Sequence, residues 1–451
     1  MTGLTIKAEA KGRKPSPWAW IPSLYFASGL PYVVVMSVAV IMYKRLGISN
    51  TDIALYTSWL YLPWVIKPFW SPVVDILRTK RSWIVAMQLL IGAGLGGVAL
   101  TLQAPDFFKW SLACLWLLAF SSATHDIAAD GFYMLGLSKH DQAWFVGIRS
   151  TFYRLAMITG QGLLIMLAGW LETRIGSNIA DAAVEAGAAV DPGTFMAWAN
   201  TFDMMAGLFV VFFAWHRFVL PRPASDTPRL HATSAEVMRD FLRTFIAFFQ
   251  KQKIGLILAF LLLFRFSEAQ LVKIAAPFML DAQQAGGLSL STTQVGFAYG
   301  TVGVIMLTLG GILGGFVAAR DGLKHWLPWM VLSINLPNLV YVFLSFVLPG
   351  NLLVINLAVG VEQFGYGFGF AAYMLYMLYV SQGEHQTAHY AICTGFMALG
   401  MMLPGMFSGW LQELVGYQFF FVWVMIATLP SFIVTFLIPL ERSFGRKEEQ
   451  A

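Results

Sequence analysis

The sequence predicts an all-α integral membrane protein in which twelve transmembrane helices form two six-helix halves. Three observations point there: apolar stretches of bilayer-crossing length, an internal repeat, and basic residues gathered on alternate loops. Of the 451 residues, 58% are hydrophobic and only 12% are Asp, Glu, Lys or Arg, with 16 Trp, 37 Phe and a mean hydropathy of +0.66. A water-soluble domain cannot hide that much apolar surface. Crossing about 30 Å of hydrocarbon takes about 20 helical residues, and lipid satisfies no backbone polar group, so these stretches must be helices.

Hydropathy places the spans at 18–42, 52–74, 82–103, 110–134, 143–170 and 197–219, then at 254–280, 293–317, 326–348, 352–379, 388–411 and 417–439. The first follows a basic leader, MTGLTIKAEAKGRKPSP, without a small-residue cleavage site, and reads as an uncleaved span. If both termini are cytoplasmic, only Lys44, Arg45, Lys109 and Arg174 among the 29 Lys and Arg fall in outer loops. Positive charge favours the cytoplasmic side, so the chain is expected to run N-in, C-in. Asp181, Glu185 and Asp191 fit the same outer face. The net charge of +5 therefore reports topology and calls for no nucleic-acid partner. Cys114 and Cys393 lie inside apolar spans without paired or ligand spacing and read as packing residues.

The chain repeats itself. After the second span comes Ser71-x-x-x-Asp75 with Arg78, Lys80 and Arg81; after the eighth comes Gly315-x-x-x-Ala319-Arg320-x-Gly322-x-Lys324. Tyr133-Met134-Leu135 with Ser138 recurs as Tyr376-Met377-Leu378 with Ser381, and Gly169-Trp170-Leu171 as Gly409-Trp410-Leu411. Two parallel halves follow, residues 1–219 and 253–440, joined by a cytoplasmic connector at 220–252 and followed by a tail at 441–451. In the connector, Thr233 and Glu236 have capping-box spacing. Val237, Met238, Phe241, Leu242, Phe245, Phe248 and Phe249 recur at helical spacing opposite Arg239, Asp240 and Arg243, which predicts an amphipathic helix on the inner membrane surface.

This plan resembles the major facilitator superfamily, and the two loops resemble its gating signature, G-x-x-x-D-R-x-G-x-R-K. The first departs at Ser71, Ile76 and Arg78, the second at Ala319. The resemblance implies gate roles for Ser71, Asp75, Arg78, Arg81, Gly315, Arg320 and Gly322, and a substrate site between the halves near the bilayer midplane. Lys80 and Lys324 are accounted for by topology alone.

Charges inside spans need a reason, because an unpaired charge at the bilayer centre costs at least about 2.5 kcal/mol. They are Lys67, Asp126, Asp130, Arg149, Arg154, Asp203, Arg265, Glu268, Lys273 and Glu362. In the major facilitator fold the first, fourth, seventh and tenth helices line the cavity, and Asp126, Asp130, Arg265, Glu268, Lys273 and Glu362 fall on three of these. Asp126 and Arg149 lie at similar depths in neighbouring spans and suggest an Asp–Arg clamp that is structural or a gate. Arg154, about a turn and a half deeper, is expected to reach the cavity centre. Burial disfavours a charged carboxylate, so Asp126, Asp130, Glu268 and Glu362 are candidates to carry a coupling proton. Arg154, Arg265 and Lys273 would face an anionic substrate. Asp203 reads as an outer-surface residue. Trp59, Tyr61, Tyr153, Phe364 and Tyr366 can stack on a ligand, or simply pack.

Four stretches, FASGLP (Phe26 to Pro31), YLPWVIKPFWSPVVD (Tyr61 to Asp75), FSSATHDIAAD (Phe120 to Asp130) and FYRLAMITGQG (Phe152 to Gly162), resemble the anhydromuropeptide permease (AmpG) family and the related acetyl-CoA transporters. His125 stands where that family has Gln, beside both acids of the pattern; Lys67 and Tyr153-Arg154 are also family-like. The resemblance implies proton-driven import of cell-wall turnover products, a disaccharide with or without a peptide. Arg154, Arg265, Lys273 and Lys67 would then bind substrate with Tyr153, while Gln161, Gln363 and Asn338 would hydrogen-bond sugar or amide groups. Another anionic solute, such as a CoA ester or iron-siderophore, suits the same basic cavity, and a non-transporting sensor is the alternative of another class. An enzyme is not expected, since no span carries a metal-ligand cluster, nucleophile elbow or phosphate loop. The expectation is thus a monomer with a small anionic substrate, a proton as coupling ion, and no cofactor or metal.

Overall fold

The computed structural model describes residues 15–185, 191–227, 234–383, 385–441 and 444, and among these no residue is in a strand. The helices are α1 (Pro17–Arg45), α2 (Asn50–Trp59), α3 (Leu62–Leu77), α4 (Lys80–Thr101), α5 (Phe107–Gly136), α6 (His140–Ile175), α7 (Pro192–Val219), α8 (Ser234–Phe249), α9 (Ile254–Leu280), α10 (Thr292–Asp321), α11 (Leu323–Val347), α12 (Leu352–Ser381), α13 (Gln386–Ile426) and α14 (Leu429–Leu437). Side-chain caps start several of them: Ser49, Thr79, Asp191 and Asn351 each accept a backbone N–H of the first turn, and Ser291 and Gln294 form a capping box.

Ten stretches among the described residues are long and apolar enough to cross a membrane, rather than the twelve separate spans expected. Two local causes account for the difference. Pro63 has no N–H for the Trp59 carbonyl and its ring crowds it, so the span expected at 52–74 is broken into α2 and α3. At Gly416, φ is +77°, a conformation open to glycine, and the stretch Ala388–Leu437 is divided there.

Helix packing repeats between the halves: α1 on α6 is matched by α9 on α13, α4 on α5 by α11 on α12, α4 on α7 by α11 on α14, and α3 on α5 by α10 on α12. The halves meet where α2 and α3 lie on α13, and where α6 lies on the start of α10. The α10–α12 approach is close enough to demand glycine: a Cβ on Gly310 would sit 2.1 Å from the Phe364 carbonyl oxygen, and one on Gly367 2.0 Å from that of Leu307.

The first and last described residues share one end of the bundle, the termini end. Trp20 packs edge-on against Phe132, the Leu323 N–H donates to the Phe444 carbonyl, and Lys324 donates to that of Leu440. There α8 docks on both halves, with Phe245 against Phe69 of α3 and Phe248 against Phe396 of α13. Thr233 lies outside the described residues, as do the side chains of Glu236, Val237, Met238, Asp240 and Phe241. The opposite end, where α1 and α9 finish and α7 and α10 begin, is the far end.

Candidate functional site

Three helix breaks lie at mid-depth, and the charged cluster is built on them. α2 passes to α3 at Leu60–Tyr61, α9 is interrupted at Phe264–Arg265, and α11 tightens to a 3₁₀ turn at Leu336–Asn338. A break frees backbone groups that lipid cannot satisfy, so side chains must. Ser431 donates to the Phe264 carbonyl at 2.7 Å, Asn335 donates to the Ser431 hydroxyl at 3.0 Å, and Ser267 donates to Asn335 at 3.1 Å. Arg265 begins the second half-helix, Phe266–Leu280, so its guanidinium stands at the positive end of a helix dipole.

Arg265 Nη2 donates to the Tyr366 hydroxyl, and the guanidinium lies 5.3 Å from the Tyr366 ring and 5.0 Å from that of Phe370. Its Nε is buried without a hydrogen-bond partner. One turn on, Glu268 is 5% exposed, and its Oε2 also has no partner. Glu362 is 2% exposed and accepts from Gln363 Nε2 at 2.9 Å, beside the mutually bonded hydroxyls of Tyr299 and Tyr341. Both amide atoms of buried Asn338 are unpartnered. Each such group costs about 1 to 3 kcal/mol if nothing ever satisfies it. Their unused capacity is what a polar ligand would fill.

A second charged layer lies nearer the termini end. Lys67 pairs with Asp126 at 3.8 Å, and Trp64 Nε1 donates to Asp126 at 3.4 Å. Arg149 pairs with Asp130 at 3.0 Å and stacks over Tyr25 and Tyr133. The expected Asp126–Arg149 clamp is thus displaced by one turn. Helical side chains lean toward their own N-terminus; α5 and α6 run antiparallel, so Arg149 leans toward the termini end and Asp130 leans to meet it. Arg154 does not join the central cluster: it is exposed and pairs with no acid among the described residues. Tyr153 is half-buried, and Gln161 donates to Ser37 at 3.1 Å on the neighbouring α1.

His125 bonds to neither acid, and a step of about 100° around α5 separates it from Asp126. It links Ser28 at 3.2 Å to Gln88 at 3.1 Å; Gln88 continues to His216 Nδ1 at 3.0 Å, and His216 Nε2 meets Ser23 at 2.9 Å, tying α1, α4, α5 and α7 into one buried network. No sequence pattern announced this network, because its members lie on four helices.

The signature loops hold the termini end by backbone contacts. Arg81 donates to the carbonyls of Leu220 and Arg217 at the end of α7, while Asp226 accepts the N–H groups of Lys80 at 2.7 Å and Arg81 at 3.0 Å. Arg320 pairs with its neighbour Asp321 at 2.9 Å, and Gly322 has φ +90° in the α10–α11 turn. Gly315 is not a close-packing residue, since a Cβ there would meet nothing within 4 Å; Gly314 and Gly310 take that role. Ser71 is half-buried, Arg78 is exposed, and the Asp75 side chain lies outside the described residues.

Sequence reasoning missed a polar lock at the far end. Lys44 pairs with Asp281 at 2.7 Å and donates to Asn50 at 2.9 Å; Asn50 donates to Gln412 and Tyr417, and Tyr417 donates to Asp281. Glu172 accepts from Arg45 at 3.2 Å, Trp198 at 2.9 Å and Thr292 at 2.6 Å, and Glu413 accepts from the N–H and hydroxyl of Thr51. Lys44, Asn50 and Tyr417 line an open cleft of about 550 Å³. Among the described residues, every hydrogen bond and ion pair joining the halves lies from Thr57 outward to this end. Toward the other end, the Asp130 side chain is 48% exposed. This conformation is therefore shut at the far end. Replacing Glu172 by Gln should weaken the lock by about 1.5 kcal/mol or more, the scale of a hydrogen bond to a charged group. A spin-label pair across the far end should then report roughly tenfold more open form; an unchanged distribution would remove Glu172 from the lock.

Solved transporters share this architecture. A bacterial homologue of the human lysosomal transporter Spinster superimposes with a TM-score of 0.64 at 15% identity, covering 93% of this chain and 94% of that one. The nucleoside transporter NupG does so with a TM-score of 0.63 at 15% identity, covering 92% and 96%. Among curated proteins, putative transporter AmpG 4 of Rickettsia conorii is 25% identical over 92% of this chain and 94% of its own length. The anhydromuropeptide permease of Escherichia coli is 23% identical over 91% of this chain and 77% of its own. The resemblance drawn from the first five spans thus extends over most of the sequence. Residues 27–380 match the BT1 family model. The chain belongs to the BT1 family and is a multi-pass membrane transporter of the major facilitator fold, acting on a small-molecule substrate rather than as an enzyme.

Proposed function

We propose that the protein imports anhydromuropeptides, GlcNAc-anhydroMurNAc with or without its peptide, across the bacterial inner membrane in symport with protons, as a monomer with both termini cytoplasmic. The observation that carries this reading is the mid-depth cluster, in which Arg265, Glu268 and Asn338 keep buried polar atoms unpartnered amid aromatic rings. An amphipathic sugar acid needs both parts: donors for its carboxylate and hydroxyls, and rings for its apolar faces. The likeness to the anhydromuropeptide permease of Escherichia coli supports the substrate class. The basic side chains of Arg78, Arg81, Arg222 and Lys251 in the loops of the termini end support its cytoplasmic placement.

Proton coupling requires a group that takes and releases a proton once per cycle. Glu268 and Glu362 are both buried at mid-depth, 5% and 2% exposed, and Glu268 Oε2 has no partner, so these two carboxyls hold the first position for that role. Asp126 faces a cation and holds the second position. In proteoliposomes with an inward proton gradient, the wild type should accumulate labelled GlcNAc-anhydroMurNAc. Glu268→Gln should lose accumulation by roughly a hundredfold while keeping gradient-independent exchange, as a general scale for removing a group used only in the coupled step. Asp126→Asn should reduce accumulation less. Failure of correctly oriented wild type to take up the sugar would redirect the assignment to another anionic solute.

A further inference from the structure

The ammonium of Lys273 is buried in the seam between the halves, 1% exposed, and pairs with no carboxylate among the described residues. Both its partners come from the other half. It donates to Thr57 Oγ1 at 2.8 Å and lies 5.2 Å from the Tyr61 ring, one turn along. The Thr57 hydroxyl spends its own hydrogen on the Ile53 carbonyl at 2.7 Å, so a lone pair faces the ammonium. An ammonium has three donors, and one neutral hydroxyl with one ring is a meagre set for a buried charge. Beside it, Ser58 Oγ is buried without a partner, at a point where a Cβ on Gly405 of α13 would meet both Ser58 Oγ, at 2.8 Å, and the Lys273 stem, at 3.5 Å.

Lys273 lies about 12 Å inside Asp281 by helical rise. The contact is therefore on the far side of the Arg265–Glu268 cluster, in the seam that must part if the far end opens. Parting strips Lys273 of Thr57 and Tyr61 together. A charge that has lost both partners needs an anion.

We propose that Lys273–Thr57 is an exchangeable latch: an anionic group of the ligand takes the ammonium from Thr57, so that occupancy by an anion and opening at the far end are thermodynamically linked. The proposal rests on the central cluster being the ligand site and assigns the regulation of that site. A ligand shifts a conformational equilibrium only by its differential affinity for the two states, and here the difference is the availability of the ammonium. Thr57 competes with the anion in the closed form and cannot do so in the open form. A neutral ligand of the same shape has no such leverage.

The test uses full-length protein in nanodiscs with Cys114 and Cys393 replaced by Ser and spin labels at Gln103 and Gln284, which are exposed in far-end loops of opposite halves. The distance distribution is followed against GlcNAc-anhydroMurNAc and against its neutral carboxamide. The acid, and not the amide, should lengthen the distance. Thr57→Val should lengthen it without ligand and lower the acid concentration for half-maximal change about tenfold, the scale of one hydrogen bond to a charged group. Thr57→Ser, which keeps the hydroxyl, should behave as the wild type. A Thr57→Val protein that matches the wild type in both respects while the acid still acts overturns the latch and leaves the substrate reading standing. An acid without effect on any variant, alongside a lengthened ligand-free distance in Thr57→Val, keeps the latch and overturns the substrate reading. Equal responses to acid and amide overturn the anion dependence.

Discussion

Gly300→Ala should hold the transporter open at the far end and abolish uptake without unfolding either half. A Cβ on Gly300 would lie 1.9 Å from Gly162 Cα and 2.1 Å from its N. These are backbone atoms, so no rotamer change relieves the overlap. Both glycines sit on π-helical turns, Thr159–Leu164 in α6 and Phe297–Gly303 in α10, which widen the helices where they touch. Overpacking costs up to about 3 kcal/mol where a core can adjust, and a backbone overlap is at the severe end, so the closed form should fall roughly a hundredfold or more in population. The strain lies between the halves, and separating them removes it. Gly409→Ala is its counterpart across α13 and α2, with a Cβ 1.9 Å from the Asn50 carbonyl oxygen, and should behave alike. Gly367→Ala is the contrast, because its overlap is with Leu307 inside the second half, where no rocking motion gives relief. That variant should lose thermal stability and yield of folded protein. Wild-type uptake by Gly300→Ala would show that the Gly162–Gly300 contact is not made in the working cycle.

Those glycines illustrate what a single sequence withholds. Spans were legible because hydropathy and the need to satisfy backbone groups leave helices as the one solution, and Arg265, Glu268, Lys273 and Glu362 stood out because charge is scarce there. Pairing was not legible. The lean of Arg149 decided its partner against equal depth, and His125, adjacent to Asp126 in sequence, took Ser28 and Gln88 on two other helices as its partners. Lys44, Arg45, Glu172 and Asp281 look like ordinary charges at span ends until the fold brings three helix ends together. Gly162 and Gly300 carry no signal at all, since many membrane helices contain glycine. Chemistry that resides in one helix is readable from sequence; chemistry shared between the halves is readable only after they are packed.

Arg265→Met should raise the KM for an anionic sugar by roughly a hundredfold or more, as loss of about 3 kcal/mol from two charge-assisted hydrogen bonds requires. The guanidinium is pre-set for that task. Tyr366 and Phe370 fix its plane, the Tyr366 hydroxyl occupies one N–H, and Nε remains buried and unspent. Its place at the start of the Phe266–Leu280 half-helix adds the dipole of that helix to the same spot. Lysine cannot reproduce a planar fork held between rings, so Arg265→Lys should recover only a small part of the lost affinity. Removing the cation also leaves Glu268 buried beside an apolar methionine, which by itself destabilises the fold. The double variant Arg265→Met, Glu268→Gln separates the two effects: thermal stability should return toward wild type, while KM stays high. Recovery of both would make Arg265 a partner for Glu268 and nothing more. Recovery of stability alone places the guanidinium on the substrate, because only a group that touches the ligand leaves its absence in KM after the fold has been repaired.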